Sequence, residues 1–301
     1  MPQDWINGTF GEASISIRDT GLLHAAGLFT TMRADEGRVF RLDRHLARLR
    51  ESCQALFIPI QYHDEQLTDA TNELLARNEL PDARLRITVT RGAAASDPNR
   101  GLFLQPTVFI TATALEPYPA EYYERGLTVM LVDEQKLNPY DIRAGHKTLN
   151  YFSRLAALRE ANRRGAGEAL WFNVHNYLQS GSISNVFIVK DNQLITPPTP
   201  AEMLDSAVRE ASPYPRSAVL PGIMRGAVLE LAVSAGIAVK MEAIDVNRLL
   251  DADEVFVTNS IMRVMPVCRI ERSAIGGDRP GPVTLRITEL ISDLIDHGRS
   301  G

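Results

Sequence analysis

Lysine is nearly missing from this chain. Of 301 residues only four are lysine, Lys136, Lys147, Lys190 and Lys240, and the other 28 of the 32 basic side chains are arginine. Surface charge is thus left to guanidinium, and each lysine invites a chemical reason. An amine can lose its proton and attack a carbonyl, whereas a guanidinium is effectively never neutral. Cysteine is scarcer still: Cys53 and Cys268 are too few for a disulfide framework and lack the spacing of a metal site. Positive charge is in deficit, with a net charge of -5, so nucleic acid is not the expected partner. No apolar run approaches the length of a membrane span. The opening Met1-Pro2-Gln3-Asp4-Trp5 has neither the basic nor the apolar region of a signal peptide. The expectation is a soluble cytoplasmic protein without metal, repeats or low-complexity tracts.

What is present is an ordinary globular composition. Apolar residues make up 45% and charged residues 23%, enough to bury a sizeable core, and the length suits two domains. Asn7-Gly8 predicts a tight hairpin between strands at Trp5-Ile6 and Ala13 to Ile17. Leu42, Leu46, Leu49, Cys53 and Leu56 follow one helix face. Leu85 to Val89 alternates as a half-buried strand, and the β-branched run Val108 to Leu115 is its expected partner. Periodicity then breaks at Glu116-Pro117-Tyr118-Pro119-Ala120. The domains read as a small α/β unit over 1–118, a linker over 119–126 and a larger α/β unit over 127–301. In the second half, strands are predicted at Leu127 to Val132, Ala169 to Val174, Asn185 to Lys190, Gln193 to Ile195 and Glu254 to Thr258. Helices are predicted at Tyr151 to Arg164, between Pro221 and Gly236 with Val228, Leu231, Ala232 and Ala235 inward, and around Val283 to Leu294.

Separated motifs line up in one order. Phe29-Thr30-Thr31-Met32-Arg33 and His45-Leu46-Ala47-Arg48-Leu49 come first, then Lys147-Thr148-Leu149-Asn150-Tyr151. Ser182-Ile183-Ser184-Asn185-Val186-Phe187, Leu220-Pro221-Gly222-Ile223-Met224-Arg225, Ala252 to Ser260 and Met265-Pro266-Val267 follow. This series resembles the fold-type IV pyridoxal-phosphate enzymes, the class IV aminotransferase group, over about Ile6 to Ile295. The resemblance implies a two-domain α/β (α+β mixed) architecture with the cofactor between the domains and a homodimer acting on a small amino substrate.

Residue by residue, the resemblance implies that Lys147 forms the Schiff base with pyridoxal 5'-phosphate and then shuttles protons. Arg48 corresponds to the phosphate-binding arginine, whose fork suits phosphate oxygens. Ile223 and Met224 open a helix whose backbone N–H groups can receive phosphate. Asn259 and Ser260 correspond to a second phosphate turn, and Tyr151 to a cofactor contact. For the substrate carboxylate, Arg100, Arg91 and Thr30 are candidates, with Arg143 behind them. The turn Thr258-Asn259-Ser260-Ile261-Met262, together with Phe29-Thr30-Thr31 and Gly222-Ile223-Met224-Arg225, is similar to the aminodeoxychorismate lyase version. That favours β-elimination releasing pyruvate, with branched-chain or D-amino-acid transamination as the alternative.

Three departures from the pattern stand out. The family carries an acid before the glycine of its Glu-Gly-Ser-type motif, paired with the cofactor's pyridine nitrogen, and here that position is Ser180. A neutral serine favours an unprotonated nitrogen and a weaker electron sink. Losing such a charge-assisted bond costs roughly 1.5–3 kcal/mol, so a weakly catalytic or non-catalytic cofactor-binding homologue is a further alternative. Second, an insertion over 198–219 is expected to form a surface loop. Third, His24-Ala25-Ala26-Gly27 replaces a motif that is usually Gly-Asp-Gly.

Overall fold

The computed structural model describes residues 2–97 and 101–297. It divides into two compact units, Met1–Glu116 with His146–Tyr151, and Pro117–Gly145 with Phe152–Gly301.

The first unit contains strands β1 (Asp4–Ile6), β2 (Thr9–Gly11), β3 (Gly27–Asp35), β4 (Arg38–Val39), β5 (Ala83–Asp97) and β6 (Gly101–Ala114), and helices α1 (Thr20–His24), α2 (Leu42–Ala55) and α3 (Asp64–Arg77). The strands form one antiparallel sheet in the order β2-β1-β6-β5-β3-β4. Alternation sorts its faces. Leu28 and Met32 of β3, with Leu85, Ile87 and Val89 of β5, join Leu46, Leu49 and Cys53 of α2 and Leu67, Leu74 and Leu75 of α3 in one buried core. Phe29 and Arg86, at alternate positions, leave that core and meet each other, with the guanidinium 3.7 Å from the ring centroid.

The turn at Asn7 and Gly8 has positive φ at both residues, 46° and 91°, as a two-residue hairpin requires. Such a turn pairs Ile6 with Thr9 and Trp5 with Phe10. The return strand is therefore Thr9–Gly11, not Ala13 to Ile17 as expected, because a two-residue turn brings the very next residues back.

The second unit contains strands β7 (Leu127–Leu131), β8 (Glu168–Phe172), β9 (Leu178–Gly181), β10 (Asn185–Lys190), β11 (Gln193–Thr196), β12 (Val239–Met241), β13 (Glu254–Asn259), β14 (Arg263–Ile270) and β15 (Ser273–Ala274). Its helices are α4 (Ala120–Arg125), α5 (Phe152–Arg163), α6 (Ser206–Ala211), α7 (Ile223–Ser234), α8 (Val246–Leu250) and α9 (Pro282–His297). The sheet runs β12-β11-β10-β13-β14-β7-β8-β9, with β15 on β14. Strands β8 and β13 are buried along nearly their whole length, which explains their continuous apolar reading. Helices α7 and α9 pack on each other and on β13. Ala235, expected on the inner face of α7, is exposed because it is already the C-cap.

Two other expectations change. Residues 119–126 are not a bare linker, since Pro119 caps the short helix α4. The lysine segment, expected within the later domain, groups with the first unit. Its backbone pairs with the start of β3: Phe29 N–H donates to Lys147 O at 3.0 Å and Leu149 N–H to Gly27 O at 2.9 Å. Strand β4 pairs with β3 only near Ala34 and Asp35, so this stretch of the β3 edge is open to Thr148.

The segment over 198–219 is packed rather than a plain surface loop. Met203, Tyr214, Ser217 and Val219 are buried. Arg225, also buried, forks onto both Glu202 oxygens at 2.8 and 2.7 Å. Gln179 reaches the segment twice, donating to Tyr214 OH at 3.3 Å and accepting from Ala218 N–H at 3.0 Å. Fixed partners on α7 and β9 give the insertion a single course.

Candidate active site

In the first unit, the Lys147 amine lies 3.5 Å from the Tyr151 hydroxyl. It sits 4.7 Å from the Phe29 ring centroid and 5.1 Å from that of Tyr151. The two rings meet edge to face at 5.4 Å. Arg86 covers the same Phe29 ring and donates to Thr88 Oγ1 at 3.0 Å. Burial, with Arg84 adding to it, lowers the Arg86 pKa, while Tyr151 opposes the change. Lys147 thus has a hydroxyl within reach and two ring faces, one of them shared with a second cation.

Beneath this cluster lies a polar group inside the core. The Thr30 hydroxyl is 2.7 Å from His45 Nδ1 and accepts from Arg48 Nη2 at 3.1 Å. Burial, with Arg48 and Lys147 as neighbouring cations, holds His45 well below the usual imidazole range, so it is neutral. Burial also lowers Arg48 to about 10, which leaves it charged at neutral pH. His146 Nδ1 is 2.9 Å from Ser52 Oγ.

In the second unit, Ser180 is buried in β9 and accepts from Arg154 Nη1 at 3.1 Å. The same nitrogen donates to Gly181 O at 2.9 Å. Glu168 is fully buried, and both its oxygens are used. Oε1 accepts from Ala169 N–H at 2.9 Å and Ser182 N–H at 3.0 Å; Oε2 accepts from Ile183 N–H at 3.3 Å and Ser184 Oγ at 2.7 Å. Glu168 therefore shapes the turn and does not replace the acid missing at Ser180. A Cβ on Gly181 would meet Glu168 Oε2 at 2.6 Å, so the turn requires glycine there.

Helix α7 starts at Gly222 without a side-chain cap, leaving Ile223 and Met224 at a bare helix N-terminus. A Cβ on Gly222 would come within 2.0 Å of Asn185 Oδ1. Thr258, paired with Asn185 across the sheet, has a buried hydroxyl with no partner among the described residues. Next to it, Asn259 Oδ1 accepts from Ile261 and Met262 N–H, both at 2.8 Å, which closes a turn around Ser260. A helix positive end and an orphaned hydroxyl fit a bound phosphate group, and Gly222 makes room for the Asn185 side chain between them.

Of the expected residues, Lys147, Tyr151, Thr30 and Arg48 come together in one unit, while Ser180, Ile223, Met224, Asn259 and Ser260 belong to the other. Arg91 is exposed on β5, Arg143 is tied to Asp141, and Arg100 lies outside the described residues. Thr30 is no free carboxylate ligand, since its hydroxyl is already shared by His45 and Arg48. Sequence reading missed Arg86 and Arg154. Alternation in Leu85-Arg86-Ile87-Thr88 carried a signal for Arg86; nothing in the sequence marked Arg154.

Comparison with known proteins identifies the family. The amino-transferase class IV family profile matches residues 27–270. A putative branched-chain-amino-acid aminotransferase of Methanocaldococcus jannaschii is 32% identical over 96% of this chain and 95% of its own length. D-alanine aminotransferase of Bacillus licheniformis is 28% identical over 94% and 93%. The Escherichia coli branched-chain amino acid aminotransferase structure superposes with a TM-score of 0.85 at 28% identity, covering 97% of this chain and 94% of that one. A putative 4-amino-4-deoxychorismate lyase of Legionella pneumophila has a TM-score of 0.78 at 21% identity, covering 94% and 96%, and shows the fold alone. The chain belongs to the class IV aminotransferase family, a group of enzymes that work with pyridoxal 5'-phosphate.

Proposed function

We propose that the protein is an amino-acid aminotransferase in which Lys147 carries pyridoxal 5'-phosphate. The observation behind this reading is the setting of Lys147, an amine beside Tyr151 and over the Phe29 ring that Arg86 also covers, in a chain that otherwise avoids lysine. When bound, the cofactor supplies an aldehyde for the amine and a ring that stabilises negative charge on the substrate carbon. Lys147 holds the group and moves the proton, and the Tyr151 hydroxyl steadies its amine. Arg48, the open end of α7 at Ile223 and Met224, and the Asn259-Ser260 turn are the groups assigned to the phosphate. Arg86 takes the substrate carboxylate, in preference to exposed Arg91. A cytoplasmic homodimer belongs to the same reading.

The sequence cues toward the lyase have a local role in this fold. Thr30 bonds His45 and Arg48, and Asn259 closes its own turn, so both serve the scaffold whichever reaction follows. The relatives of higher identity are named aminotransferases, which supports transamination. The test incubates cofactor-loaded protein with single L- and D-amino acids, with and without 2-oxoglutarate. Keto-acid formation that depends strictly on the acceptor is expected. Pyruvate released from aminodeoxychorismate without acceptor would overturn the reading in favour of the lyase. Borohydride reduction that leaves no label on Lys147 would overturn the cofactor assignment itself.

A further inference from the structure

We propose that Arg154 fixes the polarity of the Ser180 hydroxyl, so that the place kept for the cofactor's ring nitrogen offers a hydrogen-bond donor beside a fixed cation. The nitrogen is held there unprotonated. The inference rests on the cofactor reading above and concerns what Ser180 and Arg154 do toward that group.

A guanidinium only donates, so the 3.1 Å contact from Arg154 Nη1 makes the Ser180 oxygen an acceptor. The hydroxyl hydrogen must then point elsewhere, and among the described residues nothing accepts it. Ser180 is buried, so that hydrogen needs an acceptor from a bound group. An unprotonated pyridine nitrogen accepts that hydrogen; a pyridinium could use only the second lone pair of the oxygen and would leave the buried hydroxyl hydrogen without an acceptor.

Arg154 is not a loose surface charge. The same Nη1 also donates to Gly181 O at 2.9 Å and reaches Ser182 O at 3.4 Å. Its guanidinium lies 5.6 Å from the Trp171 ring centroid, and the Trp171 indole N–H donates to Ser182 Oγ at 2.9 Å. The cation is thereby fastened to the turn that carries Ser180, and a positive charge on an adjacent ring nitrogen would repel it. The carboxylate of this turn, Glu168, is occupied by three backbone N–H groups and Ser184. It supplies no counter-charge to the nitrogen.

Arg154 is a positioning residue in this account, acting through Ser180. The test reconstitutes the full-length protein with pyridoxal 5'-phosphate labelled with nitrogen-15 in the ring and follows its nitrogen NMR signal from pH 5 to 9. Wild type is expected to give the free-pyridine shift at neutral pH, and Ser180→Glu the pyridinium shift. Arg154→Leu is expected to raise the pH of nitrogen protonation by about one unit or more, since a neighbouring charge moves a pKa by that amount. Arg154→Lys restores the cation and the wild-type titration. A pyridinium signal in wild type, or an Arg154→Leu titration identical to wild type, overturns the proposal. If Arg154→Leu does not fold, Ser180→Glu decides: a free-pyridine signal there also overturns it. Failure of the cofactor reading is separate, because it shows as no borohydride-stable label on Lys147.

Discussion

The Thr30 hydroxyl bridges to His45 Nδ1 at 2.7 Å while receiving Arg48 at 3.1 Å. Arginine can only donate, and the hydroxyl oxygen has two lone pairs, so the bridge closes with either tautomer of the His45 ring. One oxygen thus joins a buried imidazole to a half-buried guanidinium.

Thr30→Val keeps the shape and removes that oxygen. It takes away the partner that His45 Nδ1 and one Arg48 N–H share in the core, at a cost of about 1–3 kcal/mol. Urea unfolding is expected to show the loss, and Thr30→Ser to recover most of it. A Thr30→Val midpoint equal to wild type would refute the bridge.

His45 gives a pH dependence with a definite sign. Its folded-state pKa lies well below the ordinary 6.5, through burial first and then Arg48 and Lys147. The unfolded chain therefore binds the proton more readily. Stability is fully present above about pH 6.5 and is lost as pH falls from there toward the folded pKa. His45→Gln is expected to flatten the unfolding free energy between pH 7 and pH 5, and an unchanged slope would contradict the assignment.

Glu202 acts in a lower window. Burial raises its pKa, but the hydrogen bonds and charge of Arg225, with Thr199, outweigh this and lower it below 4.5. Its contribution is present above about pH 4.5 and is lost as pH falls through the folded value. Glu202→Gln leaves Arg225, itself 3% exposed, without its anion. Glu202 keeps some solvent contact, so the expected cost is about 2–4 kcal/mol. Limited proteolysis within 198–219 is expected to accelerate. Cleavage at the wild-type rate would show that the segment is held by other means.

Arg86 carries the substrate prediction. Arg86→Leu is expected to lower kcat/KM by roughly tenfold to a hundredfold, the value of a charged hydrogen bond of about 1.5–3 kcal/mol. Most of that is expected in KM, with the Lys147 cofactor label unchanged. Arg86→Lys keeps the charge without the fork and falls between the two. An Arg86→Leu enzyme with wild-type KM would return the carboxylate role to another residue.

Much of the fold is legible in the order of the residues. The steps between Leu42, Leu46, Leu49 and Cys53 mark α2, and the alternation around Leu85 and the run from Val108 mark the longest strand pair, because periodicity follows burial directly. The strand Thr9–Gly11 escapes such a reading because a two-residue turn fixes register more tightly than composition indicates. The segment over 198–219 reads as a loop because its anchors, Glu202, Tyr214 and Ser217, are polar or isolated, and only their partners show them to be held inside.

The site divides in the same way. The sequence by itself determined the chemistry on offer: one lysine in a motif, a serine where the family keeps an acid, and a glycine before a helix. These are identities, and covalent structure alone sets what such groups can donate, accept or attack. Tertiary structure alone decided how they are aimed. It turned Thr30 inward to His45 and Arg48, set Arg86 and Lys147 over the Phe29 ring, committed Glu168 to its turn and placed Arg154 against Ser180. Each of these contacts joins residues far apart in sequence or on different elements, and their geometry follows from strand register and helix packing, which no local pattern encodes.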